Sequence, residues 1–378
     1  MNEDFTTRLR LQLREAAVRE ERRGAIARCA ARSRSVLAPR LSLAGFAAAV
    51  TVALTCIAAL WMVFSLRPGP AAPRTPRVIA DAALAQALSG GATAGFGSVW
   101  LSDSARGDIL RVDPRTHRVT KRLHVGAEAA MATGAGSVWA LLHPPGPSSG
   151  RLLRIEPRTG RILARIPVHR TGGAAFPNGA RLVGGSPVWV VGWPAVLEVD
   201  PARNRVVREL RAPGGRDTVD AVPRGDELWL TSSDNRTTRF DMRSGRPRGP
   251  LPWRPDQTPA MLSGMKEAQY RQLFLPLGTG IVEVGTDWIQ RRDPRSGRVL
   301  WRSVVGREIH NVAVDRGNVI VEGREGNAPR DRLWVVDGRD GRASRPVEIP
   351  ELGVVTALSM RGDVWLLTTG GRVVVVAP

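Results

Sequence analysis

The residues best suited to do chemistry are a histidine and a glutamate in the last third of the chain. Between His310 and Glu322, two apolar runs flank the polar segment Asp315-Arg316-Gly317-Asn318. Two short strands joined at such a turn would bring His310 and Glu322 to the same end of a hairpin. An imidazole beside a carboxylate can act as a general base with its orienting partner, or can bind a divalent ion.

Motifs for other common chemistries are absent from the sequence. It contains no Gly-x-Ser-x-Gly elbow, His-Glu-x-x-His motif, phosphate-binding loop or calcium loop. The only cysteines, Cys29 and Cys56, lie near the N-terminus, so the rest of the chain can form neither a disulfide nor a thiolate zinc site. We therefore predict no metal site and no cofactor, and a non-enzyme is favoured. A divalent cation is expected only if His310 and Glu322 are catalytic.

Short repeated turns indicate which elements must position these residues. A phrase with an acidic first residue, usually Pro at the second position, and Gly or Asn near the fourth recurs six times. Asp accepts hydrogen bonds from the backbone, Pro presets φ, and Gly or Asn tolerates a positive φ. Each phrase therefore predicts a tight reversal between two strands. The phrases begin at Asp113, Glu156, Asp200, Asp241, Asp293 and Asp337.

Upstream of these turns lies a recurring apolar pair that usually contains Trp. The pairs are Val99-Trp100, Val138-Trp139, Val188-Trp189, Leu228-Trp229 and Val364-Trp365, with Val282 and Ile320 in place of Trp in two further units. A repeat of roughly 40 to 50 residues with several short strands is typical of a β-propeller, in which each blade is a small twisted sheet. Seven inner strands and six turns predict an all-β propeller of seven blades.

The last unit stops where its turn would begin and therefore lacks an outer strand. Residues 77–88, just before the first blade, are predicted to supply that strand, because an open ring would leave a sheet edge unpaired. The propeller is thus expected to span residues 77–378. Residues 254–276 exceed the repeat, and their spacing is compatible with a short amphipathic helix that acts as a covering element or a lid.

Polar residues near the strand ends mark a candidate ligand surface. By the order of the strands, they should surround one mouth of the central channel, and we predict that this mouth binds the ligand. The residues are Asp103, Asp234, Asp287 and Glu322 at or just beyond the ends of second strands, and His310 at the start of a first strand.

The opposite face is predicted to carry a ring of arginines. If residues 77–88 form the last outer strand, the chain enters the propeller on this face. We predict that the ring contacts anionic lipid headgroups or an anionic wall polymer, the alternative being solvated turn charges. The ring consists of the third residues of five turns, Arg115, Arg158, Arg243, Arg295 and Arg339.

The formal net charge of +20 does not indicate a nucleic-acid protein. Nearly all of the positive charge is Arg, since Lys121 and Lys266 are the only lysines, and such usage is typical of the coding bias of a GC-rich genome. The basic residues are not interleaved with aromatic ones, and no common nucleic-acid-binding pattern occurs. We predict no nucleic-acid partner.

Residues 41–66 form an apolar stretch long enough to cross a bilayer, which needs about 20 residues. The leader of residues 1–40 is longer than that of a cleaved signal peptide, so we predict an uncleaved signal anchor. Arg is more frequent before the stretch than after it, which predicts a cytoplasmic N-terminus and an extracellular or periplasmic propeller. Residues 1–40 are predicted to form an Arg-rich cytoplasmic helix, and residues 67–76 an extended Pro-rich linker.

The repeats resemble a known family of bacterial propellers. Gly97-Ser98-Val99-Trp100, followed by Ile109-Leu110-Arg111-Val112-Asp113-Pro114, resembles the YncE-like or YVTN repeat, and Asp293-Pro294-Arg295-Ser296-Gly297 with Arg298-Val299-Leu300-Trp301 resembles the PQQ-type repeat. The resemblance covers about residues 77–378 and implies the propeller fold. It does not imply a quinone cofactor, whose ligands have no counterparts here, and it says little about function.

A second resemblance concerns the stretch from His310 to Glu322. It is similar to the His-containing and Glu-ending strands of virginiamycin B lyases, which are also seven-bladed propellers. That resemblance implies a lyase using His310 and Glu322, although the Trp-Phe-Thr-Glu endings that those enzymes repeat are missing from this chain.

The sequence as a whole predicts a membrane-anchored extracytoplasmic propeller that acts as a binding or scaffold module for a protein or envelope ligand. Two alternatives remain open. One is the lyase, and the other is a transmembrane sensor that signals to a cytoplasmic partner through residues 1–40.

Overall fold

The computed structural model describes residues 75–143, 150–169, 180–192, 195–214, 218–232, 234–256, 274–325, 330–349 and 353–378. The predicted cytoplasmic helix (1–40), the predicted anchor (41–66) and most of the predicted linker (67–76) lie outside these residues, as do residues 257–273 of the insertion. In the part of the chain that the structure describes, no helix is long and apolar enough to cross a bilayer.

The described chain folds into seven antiparallel sheets of four strands each. Strand β1 (Arg77–Ala83) comes first. Sheets one to three contain β2 (Leu88–Gly95), β3 (Ser98–Asp103), β4 (Asp108–Asp113) and β5 (Arg118–His124); β6 (Glu128–Gly134), β7 (Ser137–His143), β8 (Gly150–Ile155) and β9 (Ile162–Val168); and β10 (Arg181–Val183), β11 (Val188–Val191), β12 (Val196–Asp200) and β13 (Arg205–Leu210).

The remaining sheets repeat this order along the chain. Sheets four to six contain β14 (Thr218–Arg224), β15 (Glu227–Ser232), β16 (Thr237–Asp241) and β17 (Pro247–Pro250); β18 (Phe274–Leu277), β19 (Gly280–Val284), β20 (Trp288–Arg292) and β21 (Val299–Val304); and β22 (Glu308–Asp315), β23 (Asn318–Arg324), β24 (Asp331–Asp337) and β25 (Val347–Glu348). Sheet seven contains β26 (Val354–Met360), β27 (Asp363–Thr368), β28 (Arg372–Ala377) and β1.

The seventh sheet combines the last three strands of the chain with the first. β28 pairs with β27 on one side and with β1 on the other. The β1 pairing is antiparallel and runs from Arg77 opposite Ala377 to Ala83 opposite Arg372. β1 therefore occupies the position of the outer strand that the last repeat unit lacks. The all-β, seven-bladed propeller predicted from the repeats is confirmed.

Apolar clusters fill the space between neighbouring sheets. The second strand of each sheet is covered on both faces, and its side chains are accordingly buried. Five of these strands place a Trp that is 2% exposed or less, and Val282 and Ile320 are as deeply buried at the equivalent positions. Trp365 of the last sheet shares a cluster with Val99 of the first, so the sheets pack as a closed ring.

Connections lie at the two opposite ends of the strands. The turns between third and fourth strands, which contain the repeated phrases, lie at the same end as the turns between first and second strands. These turns form one face of the propeller, which we call the turn face. The connections between second and third strands, and those from one sheet to the next, form the opposite face, which we call the loop face.

The residue with positive φ in each repeated turn is the fifth, whereas the sequence pattern placed it near the fourth. In the fifth sheet, the Gly297 amide donates to the Asp293 carbonyl at 2.8 Å, and the Asp293 carboxylate accepts from the Arg295 amide at 2.9 Å. This turn is one residue longer than the sequence pattern indicated. Its fifth residue contacts a side chain from the preceding unit, as Gly297 contacts Trp253, which follows the fourth sheet. The fifth residues are His117, Gly160, Asn204, Gly245, Gly297 and Gly341.

Candidate functional site

A β-bulge positions His310 at the loop face of the sixth sheet. The register between β22 and β23 shifts between Ile309 and Asn311, so His310 is the extra residue of the inner strand. Glu322 pairs with Asn311 near the end of β23, and Asp331 is the first residue of β24. These three side chains therefore meet at one end of one sheet.

His310 is at the centre of this cluster. Its Nδ1 lies 3.4 Å from Glu322 Oε1 and 3.8 Å from Asp331 Oδ1, and its Nε2 lies 3.6 Å from Glu308 Oε2. The potential ligand atoms of His310, Glu322 and Asp331 all lie within 4.8 Å of one another. The sequence did not reveal Asp331 as a site residue, because it is brought to His310 only by the pairing of β24 with β23.

The cluster lies in a largely dry environment. Glu322 is 0% exposed, Asp331 is 1% exposed, and the His310 side chain is 16% exposed. Burial raises the pKa of Glu322, against the hydrogen bonds from His310 and Asn311 that lower it. The hydrogen bond to Glu322, together with the nearby carboxylates, raises the pKa of His310 despite its burial. The cluster therefore attracts positive charge.

Neighbouring polar groups orient the two buried carboxylates. Asn311 Nδ2 donates to Glu322 Oε2 at 2.7 Å and to the Val354 carbonyl of the next sheet at 3.2 Å. Arg324 Nε donates to Asp331 Oδ1 at 3.3 Å. Glu322 and Asp331 are thus held in place by groups on strands β22 and β23.

The other three predicted ligand residues lie on the loop face of different sheets. Asp103, in the first sheet, is fully buried, and its carboxylate accepts from the Gln86 and Ala87 amides at 3.1 and 3.3 Å. Asp234, in the fourth sheet, accepts from Ser232 Oγ at 2.5 Å, and Asp287, in the fifth sheet, is exposed. Asp103 thus binds the segment that connects β1 to β2, and Asp234 contacts its own loop. Among the described residues, the structure brings together only His310 and Glu322 of the predicted set.

A second buried polar cluster lies between the fourth and fifth sheets. Glu283 Oε2 accepts from Arg292 Nε and from Gln290 Nε2, both at 2.7 Å, and Asp256 joins the cluster through Gln290 at 2.9 Å. Arg292 also stacks on Trp253, 5.3 Å from its ring centroid. The cluster fixes the segment that follows β17. The sequence feature that could have revealed this cluster is Glu283, a carboxylate within an otherwise apolar second strand.

Several arginines join one sheet to the next at the turn face. Arg111 stacks on Trp100 and donates to the Arg158 carbonyl of the second sheet at 2.8 Å. Arg154 stacks on Trp139 in the same way and donates to the Pro201 carbonyl at 2.6 Å. These arginines stabilise the ring, and coding bias is not needed to explain them.

The arginines of the repeated turns are different, because they are exposed. The predicted ring of Arg115, Arg158, Arg243, Arg295 and Arg339 lies on the turn face, with every side chain exposed. A second exposed set, which the sequence reasoning missed, occupies the sixth position of the same phrase. This set consists of Arg118, Arg161, Arg205, Arg246, Arg298 and Arg342.

The fold places this chain in the class of seven-bladed β-propellers. No family model matches the sequence, and no curated protein matches it. Among solved structures, the chain is similar to the WD40 β-propeller domain of Doa1, with a TM-score of 0.56 and 10% identity over 80% of this chain and 96% of that one.

Two further solved structures match more loosely. The computationally designed Ika8 protein has a TM-score of 0.50 and 12% identity over 77% of this chain and 96% of that chain. BamB from Moraxella catarrhalis has a TM-score of 0.49 and 14% identity over 77% of this chain and 83% of that chain. At 10% and 12% identity, the similarity to the Doa1 domain and to Ika8 shows the propeller fold alone.

Proposed function

We propose that this protein is a membrane-anchored, extracytoplasmic scaffold of the YncE-like type, with its turn face against anionic lipid headgroups and its loop face open to a protein or envelope ligand. The observation that supports this proposal is the direction of β1. Its first residue, Arg77, pairs with Ala377, the last residue of the third strand of its sheet. The chain therefore enters the propeller at the face that carries the repeated arginines.

The charge of the turn face suits an anionic surface. Five of the six phrases contain two arginines against one acidic residue, so the exposed positive charge is not cancelled within the turns. A basic side chain near an anionic membrane surface is attracted within about one Debye length, roughly 8 Å at physiological salt. Many weak contacts of this kind suffice for a domain that is already tethered.

The length of the linker is compatible with this arrangement. If residues 41–66 anchor the chain, residues 67–76 at about 3.1 Å per residue span roughly 30 Å at most. The anchor would thus keep the turn face near the bilayer and leave the loop face directed away from it.

Binding to vesicles tests the lipid contact. The ring closes within residues 77–378, so a chain of residues 67–378 keeps every strand. We expect it to bind vesicles of phosphatidylcholine mixed with phosphatidylglycerol at least about tenfold more tightly than phosphatidylcholine alone, with weaker binding at high salt. Replacing Arg115, Arg158, Arg243, Arg295 and Arg339 together by Gln should remove most of this difference in a co-sedimentation assay.

The matched control changes the same charge on the other face. It replaces by Gln five exposed arginines of the loop face, Arg106, Arg211, Arg236, Arg307 and Arg330. This variant should bind like the parent chain. Equal binding to both kinds of vesicle, or an equal loss in the two variants, would contradict the proposed orientation.

The lyase is a second candidate, favoured by the 3.4 Å contact between His310 Nδ1 and Glu322 Oε1. An imidazole paired with a carboxylate can remove a proton from a substrate at this mouth. Incubation of the protein with virginiamycin B and Mg²⁺ tests it directly. Product formation that disappears in His310→Ala would establish the enzyme, and an intact antibiotic would exclude it.

A further inference from the structure

Two buried carboxylates in the sixth sheet face little positive charge. Glu322 and Asp331 are 0% and 1% exposed, and ionised carboxylates shielded from water are stable only when a cation or several hydrogen bonds compensate them. Arg324 Nη2 lies 3.3 Å from Asp331 Oδ1, but the Arg324 side chain is 39% exposed. Glu308 adds a third carboxylate beside His310. With His310 neutral, the cluster has an excess of negative charge.

Among the described residues, one oxygen of Glu322 makes only a long contact, to His310. Oε2 accepts from Asn311 Nδ2 at 2.7 Å, whereas Oε1 is buried and faces Nδ1 of His310 at 3.4 Å. A carboxylate oxygen in this position is available to a further partner located between His310 and Asp331.

The second nitrogen of His310 is in the setting found in metal-binding histidines. Nε2 lies 3.6 Å from the Glu308 carboxylate. A metal ion would replace the proton that His310 shares with Glu322, and the Glu308 carboxylate near Nε2 would then favour the tautomer with the proton on Nε2 and the metal on Nδ1. Asn311, bonded to Glu322, similarly holds a second ligand in position.

We propose that His310 Nδ1, Glu322 Oε1 and the Asp331 carboxylate bind a divalent transition-metal cation at the loop face. One imidazole and two carboxylates suit Zn²⁺ and Mn²⁺ better than Ca²⁺ or Mg²⁺. The distances of 3.4 and 3.8 Å from Nδ1 to the two carboxylates compare with about 3.4 Å between ligand atoms around a tetrahedral zinc. A divalent charge also balances the two buried carboxylates. The site depends neither on lipid docking nor on lyase activity.

Calorimetric titration of the full-length protein in detergent with Zn²⁺ or Mn²⁺ tests the site. Cys29 and Cys56 are replaced by Ser in every variant, because thiolates would bind zinc independently. We expect one ion per chain. Glu322→Gln and Asp331→Asn keep the side-chain shapes and remove a ligand charge, and each should weaken binding at least about tenfold. Glu128→Gln, exposed on the same face in the second sheet and outside the cluster, should leave the affinity unchanged.

Paramagnetic broadening by Mn²⁺ provides a test that needs no substitution in the cluster. The imidazole resonance of His310 should broaden before those of the other four histidines. Uniform broadening, no stoichiometric binding, or binding that survives both Glu322→Gln and Asp331→Asn would overturn the site. In that case, the His310 imidazolium would supply the positive charge that compensates the Glu322 and Asp331 carboxylates. Binding of Mg²⁺ or Ca²⁺ as tight as that of Zn²⁺ would overturn the choice of metal.

Discussion

Deletion of residues 77–88 will lower the melting temperature of the propeller by roughly 10–20 °C. The deletion removes β1 and uncovers the edge of β28, whose four residues from Val373 to Val376 are 1% exposed or less. It also removes the Leu84 and Ala85 amides that donate to the Gly371 carbonyl at 3.1 Å. Lost apolar burial and lost sheet hydrogen bonds together cost on the order of 5 kcal/mol.

The effect should extend beyond the seventh sheet. Ala80, Leu84 and Ala85 pack against the cluster that joins the seventh sheet to the first, so their loss also weakens the junction of the ring. An uncovered β28 would in addition offer an unpaired edge to other chains. We therefore expect the variant to aggregate on heating at lower temperature than the parent chain.

Thermal unfolding of the full-length chain, followed by Trp fluorescence, measures this effect. Deletion of residues 67–74 is the control, because it shortens the chain before β1 and leaves the strand intact. The control should melt like the parent chain. If deletion of residues 77–88 also left the melting temperature unchanged, β1 would not be needed for the stability of the ring.

Gly297→Ala is a single substitution expected to destabilise the protein strongly. Gly297 is the fifth residue of its turn, with a φ of 72°. A Cβ atom there would lie 2.3 Å from Cγ of Trp253, the inner part of a side chain that cannot simply swing away. Trp253 is packed edge-on against Trp229 and Phe274, with ring centroids 6.4 and 5.9 Å away.

Two costs add up in this variant. A non-glycine residue in the left-handed region costs roughly 1–2 kcal/mol. Displacing a packed core side chain costs typically a further 1–3 kcal/mol. We expect a loss of about 2–5 kcal/mol in the free energy of unfolding, measured by urea denaturation.

Gly97→Ala separates the two costs. Gly97 has a φ of 73°, almost the same as Gly297, but a Cβ atom added there meets nothing within 4 Å. This variant should lose only the backbone part, about 1–2 kcal/mol. If the two variants lost the same free energy of unfolding, the Trp253 side chain would have moved away from the added methyl group at no energetic cost. The turn would then not depend on its contact with Trp253.

The fold could be predicted largely from the sequence, because its signals are local and repeated. An Asp that accepts from its own turn amides and a Gly that permits positive φ act within a few residues, as at Asp293 and Gly297. Buried second strands show as apolar runs with Trp because both of their faces are covered. The need for a closing strand also followed from the sequence, because the last unit is one strand short.

The candidate site could be predicted only in part. His310 and Glu322 lie at the two ends of one hairpin, so chain proximity indicated their contact. Asp331 lies beyond a loop, and its place beside His310 depends on the register of β24 against β23. The contact of Arg292 with Glu283 likewise depends on strand register, and its contact with Trp253 depends on packing between two sheets.

By itself, the sequence determined the number of blades, the second strands with their Trp residues, the positions of the turns and the shortage of one strand. Tertiary structure alone decided which charges are buried together and which arginines bind neighbouring carbonyls while others are exposed. The physical reason is one of range. Turn chemistry and strand periodicity act between residues close in the chain, whereas the partner of a buried charge is set by register and packing between strands distant in the chain.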